Sequence, residues 1–260
     1  MIGFKYITLA SSDGVGVITL NRPEKRNALS FDLISELKGA FERYENDAQI
    51  NVIILKANGP SFCAGADIAD LQRLQDYSFE ENLADSNHLK ELFLTIYTLK
   101  KVVIAQVQGH ALAGGCGLVT VCDFAFSVPD AMFGFPEVRI GFIPAIVMIF
   151  LLRKVGEARA KHLLISGNTV SAEKARETGL VYEIVDNNVL DSRVMDFSKK
   201  LVESNSSQAM MLTKQMLTKL HSMSLLESLA IAADMNARAR ETEDFKRGIQ
   251  AFLKKEKPGW

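Results

Sequence analysis

The chain has 260 residues, enough for one large domain or two small ones and long enough to bury a sizeable core without a disulfide or metal staple. Apolar residues make up 48% and charged residues 23%, and 30 Lys and Arg against 31 Asp and Glu leave a net charge of −1. That balance has no global electrostatic footprint for nucleic acid, so no nucleic-acid partner is expected. From the N-terminus, residues 4–9 and 15–20 read as the strands of a hairpin around the turn-forming Ser11-Ser12-Asp13-Gly14. A polar loop with a proline follows, Asn21-Arg22-Pro23-Glu24-Lys25-Arg26-Asn27. Ser30 is the expected N-cap of a helix in which Phe31, Ile34, Leu37, Phe41 and Tyr44 recur at helical spacing.

Residues 51–55 form a short apolar run of strand type, and the same unit then recurs: a glycine-bearing loop over 58–66, helical sequence to about Leu99, and a strand over 102–107. After Gly109 a glycine-rich segment leads into a helix, and 123–128 reads as a further strand. From Glu157 helices dominate, broken at Ser166-Gly167-Asn168 and Thr178-Gly179, with one more strand over 181–185. Beyond Asn187 only helices are expected. The chain therefore reads as an α/β body over residues 1–186 followed by a helical region over 187–260. No low-complexity linker separates them, so the helical region is expected to pack on the body or on a neighbouring subunit.

Residues 102–122 are long enough to span a membrane, but Gln106, Gln108, His110 and four glycines interrupt them, and residues 141–152 are too short and contain Pro144. No membrane association is expected. The N-terminus lacks a basic segment followed by an apolar stretch, so no signal peptide is read and a cytoplasmic location is expected. Cys63, Cys116 and Cys122 cannot all pair and show no Cys-x-x-Cys spacing, and His88, His110, His162 and His221 are scattered, so neither a disulfide framework nor a metal site is predicted. The phosphate-loop, His-Glu-x-x-His and Gly-x-Ser-x-Gly signatures are missing. The glycines at 109, 114, 115 and 117 do not form Gly-x-Gly-x-x-Gly, which argues against a dinucleotide cofactor.

Two loops are more informative: Ser61-Phe62-Cys63-Ala64-Gly65-Ala66-Asp67, and Gly109-His110-Ala111-Leu112-Ala113-Gly114-Gly115-Cys116-Gly117. Each lies between strand-like and helical sequence, where small residues let a ligand approach the backbone and N–H groups attract negative charge. Each loop contributing one N–H to a single oxygen would make an oxyanion hole; tight strand–helix packing is the other reading of the same glycines.

Together with Leu20-Asn21-Arg22-Pro23, Asn27-Ala28-Leu29, Cys122-Asp123, Phe133-Gly134-Phe135-Pro136-Glu137-Val138 and the tail Ala251-Phe252-Leu253-Lys254-Lys255, these segments resemble the crotonase, or enoyl-CoA hydratase/isomerase, superfamily over nearly the whole chain. The resemblance implies an α/β fold, a spiral of ββα units with a helical C-terminal trimerisation region, and homotrimers or hexamers. It implies acyl-CoA thioester substrates with no cofactor beyond the coenzyme A of the substrate. By position it assigns Ala66 and Gly114 as the two N–H donors to the thioester oxygen, and Lys25, Arg26, Ala28, Ala64 and Asp67 to the lining of the CoA cleft. It also assigns Glu137 as the catalytic general acid/base.

Two departures narrow the reading. Gly117, expected against the substrate, stands where typical hydratases of the family carry a first catalytic glutamate, so Gly117→Glu is expected to set a second carboxylate beside the water site. The family's Pro-Gly-x-Gly-Gly segment here is Pro144-Ala145-Ile146-Val147-Met148. A carboxyl among Phe133, Phe135, Ile143 and Ile146 is expected to have a raised pKa; Arg139 reads as the partner of a surface carboxylate rather than of an acidic substrate group. By resemblance the single glutamate fits a hydratase of a short or branched 2-enoyl-CoA, closest in look to the 3-methylglutaconyl-CoA branch, a 3,2-enoyl-CoA isomerase, or a silent scaffold for acyl-CoA or RNA, the RNA version weakened by the near-zero charge.

Overall fold

Ile7–Ser12 (β1) and Val15–Leu20 (β2) pair antiparallel around Asp13 and Gly14, whose φ values of 50° and 78° are those a two-residue hairpin turn requires. In this computed structural model, which describes residues 3–220 and 223–260, the first strand starts later than its sequence suggests. The N–H groups of Lys5 and Tyr6 donate to the Glu36 carboxylate (2.8 Å each) and so lie outside the ladder. After a 3-10 turn at Pro23–Lys25, Phe31–Glu45 (α1) starts at Ser30, whose hydroxyl accepts from Leu33 N–H, and buries Leu33, Leu37, Phe41 and Tyr44 on the sheet.

The chain then alternates between two sheets. Val52–Ala57 (β3), Val102–Val107 (β5) and Phe124–Ser127 (β7) run parallel beside β2. Each is followed by a triplet that joins a second sheet: Ser61–Cys63 (β4), His110–Leu112 (β6) and Met132–Gly134 (β8). Helices Ile68–Leu74 (α2) and Phe79–Thr98 (α3) follow the first such pair, Gly114–Val121 (α4) the second, and Ala145–Val155 (α5) the third. This is the expected spiral of ββα units. Glu157–Ser166 (α6), Thr169–Ser171 (β9), Ala172–Thr178 (α7) and Glu183–Ile184 (β10) complete the sheets, with strand orders β1-β2-β3-β5-β7-β10 and β4-β6-β8-β9. Every residue of β5 is buried, as a central parallel strand covered on both faces must be.

Beyond β10 the described residues are helical: Leu190–Ser204 (α8), Ser207–Leu220 (α9), Leu225–Glu241 (α10) and Glu243–Lys254 (α11). The first of these packs on β2, β3, β5 and β7 and buries Leu190, Val194 and Ser198, so the helical region begins as part of the body's core. Lys214 anchors α9, its Nζ donating to the Lys101 carbonyl (2.9 Å) and to Asp123 Oδ2 (2.7 Å). Among the described residues no helix is long and apolar enough to cross a membrane. Cys63, Cys116 and Cys122 are free and buried, and burial pushes each thiol up to about 12. Among the described residues no group of acidic, His and Cys side chains is arranged to hold a metal ion; His221 lies outside them.

Candidate active site

The second sheet brings the two glycine-bearing loops together. Strands β4 and β6 pair in parallel, so the chain leaves both at the same end, one into the loop of Gly65 and Ala66 and the other into α4. Ala66 forms an isolated parallel bridge with Leu29: Leu29 N–H donates to Gly65 O (2.7 Å) and Asp67 N–H to Leu29 O (3.0 Å). A residue flanked by two such bonds turns its own N–H to the opposite side, so the exposed Ala66 presents its donor away from Leu29. Gly114 opens α4, where the first N–H groups have no helical carbonyl within reach. Before it, Ala113 is held at φ 51°, ψ −127°, strained for a residue with a β-carbon, and its N–H is fixed by Gly134 O (2.8 Å).

The loops touch. A β-carbon on Gly65 would lie 2.6 Å from Ala113 Cβ and 3.5 Å from Gly114 N, so glycine is what allows the two backbones to approach. The loop of Gly65 and Ala66 therefore lies against the start of α4 at Gly114.

Glu137 enters from the adjoining strand. Leu112 of β6 is in register with Gly134 of β8, and Glu137 follows in the 3-10 turn Pro136–Ile140, close enough to α4 for its charge to be felt at Cys116. The side chain is half-buried and, among the described residues, its buried Oε2 has no hydrogen-bond partner. Burial pushes the carboxyl above its ordinary range, and a hydrogen bond to its own backbone only partly offsets this. Phe133 and Phe135, expected around it, are buried, whereas Ile143, expected in the same pocket, is 63% exposed. Arg139 donates to Asn168 Oδ1 (2.6 Å), an amide rather than the expected carboxylate.

The residues expected along the CoA cleft are partly assembled. Ala64 N–H donates to Arg26 O (3.0 Å), which places half-buried Ala64 beside exposed Lys25 and Arg26, with buried Ala28 next in the chain. Asn27 organises this turn: its Nδ2 donates to the carbonyls of Asn58 and Ser61, and its Oδ1 accepts from Arg22 N–H. Asp67 does not join the lining. It is 5% exposed and both oxygens are engaged, one by Ala69 N–H (2.8 Å) and the other by Arg22 (2.6 Å). Burial opposes its charge, but these two donors outweigh burial and hold the carboxyl below its usual range, and the bond to Arg22 ties down the loop that follows Gly65. Arg22 and Asn27 were not anticipated as site-shaping residues; the Arg22–Asp67 pair spans 45 positions, and no local pattern announces it.

Gly117 also differs from expectation. A β-carbon there would lie 2.5 Å from Val147 Cγ1 and 2.9 Å from Phe93 Cζ, so packed side chains fill that direction and no space remains for a second carboxylate. Gly117→Glu is accordingly expected to destabilise the fold by at least about 1–3 kcal/mol through overpacking, with the burial of a charge added, rather than to improve catalysis. Urea unfolding checks this; a variant as stable as the parent would show that the wall yields.

From residue 10 to 260 the chain matches the family model described as enoyl-CoA hydratase/isomerase. A Thermus thermophilus protein provisionally named enoyl-CoA hydratase is 39% identical over 247 residues, covering 94% of this chain and 96% of the relative. The crotonyl-CoA hydratase of Syntrophomonas wolfei is 33% identical over 258 residues, 98% of each chain. The crystal structure of an enoyl-CoA hydratase from Shewanella pealeana superposes with a TM-score of 0.93 at 32% identity, covering 99% of this chain and 96% of that one.

Proposed function

The chain belongs to the enoyl-CoA hydratase/isomerase family, and from that premise we propose that it is a hydro-lyase adding water to a short or branched 2-enoyl-CoA thioester, of which 3-methylglutaconyl-CoA is the first candidate. The observation that supports this reading is the contact of the Gly65 and Gly114 backbones next to the strand that leads to Glu137, a half-buried carboxyl whose Oε2 has no partner among the described residues. In this mechanism the thioester oxygen accepts from both N–H groups. Glu137 takes a proton from water as oxygen bonds to C3, the electron pair of the C2–C3 double bond moves onto the thioester oxygen, and the two donors stabilise the resulting enolate. Protonated Glu137 then returns the proton to C2. The sum is addition of one water, with no electron transferred and no metal invoked, and coenzyme A enters as part of the substrate. A glutaconyl-type substrate brings a carboxylate of its own, which here stands in for a second catalytic glutamate. Exposed Lys25 and Arg26 are assigned to the CoA phosphates, with Ala28 and Ala64 lining the cleft beside them.

The same lone carboxyl also suits a 3,2-enoyl-CoA isomerase, which needs one base to move a proton between C2 and C4. A panel of linear, branched and glutaconyl thioesters separates the two by sign: hydration removes the absorbance of the conjugated thioester, whereas isomerisation of a 3-enoyl substrate creates it. Stabilisation by CoA without turnover of any thioester would mark a scaffold and overturn both enzymatic readings.

Assembly into homotrimers or hexamers is part of the proposal, as is a cytoplasmic location suited to three reduced thiols. Leu225, Leu226, Phe252 and Leu253 are 74–79% exposed on α10 and α11, more apolar surface than a solvated tail needs. Sedimentation velocity is expected to give a trimer or hexamer. Deleting residues 250–260, with Lys254, Lys255 and Lys257, should disrupt it and weaken CoA binding; a monodisperse monomer binding CoA at full strength would contradict this.

A further inference from the structure

Gly117 lies inside α4, a position where glycine is poorly suited to a helix unless something needs its space. Val147 and Phe93 need it. Both are buried, at 4% and 0% exposure, and both lie closer to the missing β-carbon than any real contact allows. Phe93 meets Phe150 edge-on with ring centroids 6.3 Å apart, and Phe150 leans on Tyr97 at 5.1 Å. Beyond these rings a cavity of about 850 Å³ opens between the body and the helical region. Phe150, Tyr97, Thr120, Val121, Phe245 and Trp260 are among its walls.

Helix α4 serves as a ruler between the two spaces. Its first residue, Gly114, faces the proposed thioester oxygen. Gly117 shares that face one turn on, about 4.5 Å along the axis, and Thr120 and Val121 reach the cavity at about 9–10 Å. The charged groups at the cavity are already engaged. Lys154 Nζ donates to the carbonyls of Val119, Thr120 and Cys122, and Lys214 binds Asp123. Among the described residues the Trp260 indole N–H is buried without a partner, and the walls are mainly apolar, with the side-chain amides of Asn205 and Gln208 among their polar groups. Its volume is that of a small-molecule site.

We propose that Phe93 and Val147 form a gate between the acyl end of the thioester site and this cavity, and that they are specificity-determining residues which hold the protein to short acyl groups. The proposal rests on the acyl-CoA reading above. With the gate closed, an acyl chain ends against Phe93 and Val147; with either side chain shortened, a linear medium-chain tail passes alongside α4 into the apolar cavity.

The test is calorimetric binding of butanoyl-CoA and octanoyl-CoA, saturated thioesters that cannot be hydrated, to the full chain and to Val147→Gly, Val147→Ala and Phe93→Leu. The preference for octanoyl over butanoyl is expected to rise at least about tenfold in Val147→Gly, since each buried methylene is worth a severalfold gain, with Val147→Ala, the milder variant, between it and the parent. Preferences within about threefold of the parent in every folded variant would overturn the gate, as would a parent that already binds octanoyl-CoA the more tightly. Gly117→Ala gives a second readout: it should lower the melting temperature in the parent and have much less effect in the Val147→Gly background. Additive effects would show that the two positions do not share one space. A parent that binds both thioesters yet hydrates no 2-enoyl-CoA would refute the hydratase and leave the gate to be judged on affinities. A parent that binds neither overturns both.

Discussion

Glu137→Gln is expected to lower kcat by about 10²–10⁴ while leaving CoA affinity close to the parent's, because glutamine keeps the shape and hydrogen bonding of the side chain but cannot accept a proton. The structure adds a second expectation of opposite sign. Burial raises the carboxyl of Glu137 above its ordinary range, with no partner on Oε2 to compensate, so ionising it works against the fold. The unfolded chain releases that proton first as pH rises from about 4, and the native state loses stability until the folded carboxyl has also ionised. The glutamine variant carries no such charge. It should therefore melt higher than the parent at pH 8, and the gap should shrink towards pH 4. The pH–rate profile should agree, with the acid limb of kcat/KM displaced above the usual carboxyl range. More than about a tenth of the parental kcat in Glu137→Gln would move the proton transfer to another residue.

How far the sequence anticipated this site follows from the lengths of its parts. The parallel strands of the large sheet, such as Val52–Ala57 and Val102–Val107, are apolar runs long enough to be recognised and appear within two residues of expectation, whereas the edge strand Ile7–Ser12 starts three residues late. The second sheet consists of triplets, Ser61–Cys63, His110–Leu112, Met132–Gly134 and Thr169–Ser171, too short to show any period, and none of them reads as a strand. Yet these triplets set side by side the segments that carry Ala66, Gly114 and Glu137. The assignment of those three residues therefore came from motif resemblance, and the structure supplies the physical reason for their proximity. The directions of side chains were least legible. Asp67 matches the motif but is consumed by Arg22 and Ala69, and Ile143 lies beside the pocket in sequence but faces outward. Gly117 occupies the motif position of a catalytic residue, but its direction is filled from α3 and α5, contacts that nothing local to residue 117 encodes.

The two N–H groups proposed for the oxyanion hole are backbone atoms that no side-chain deletion removes, but they can be displaced. Gly65 adopts φ +98°, and its missing β-carbon would stand 2.6 Å from Ala113 Cβ and 3.1 Å from Leu112 O, against the peptide that leads into Gly114. Gly65→Ala must therefore strain its own backbone and push the two loops apart at the point where their donors converge. Loss of one oxyanion-hole donor typically lowers kcat by about 10²–10³, and a loss of that size is expected here. Ala66→Gly provides the contrast, since it keeps the N–H, adds no atom, and should stay within about threefold of the parent in kcat. Because overpacking also destabilises, by about 1–3 kcal/mol, the comparison is made well below the melting temperature, with circular dichroism showing that Gly65→Ala is folded. A folded Gly65→Ala that turns over as fast as Ala66→Gly would mean that the thioester oxygen does not sit between these loops. The glycines would then serve strand–helix packing, and Glu137 would stand as a buried carboxyl with no enolate beside it.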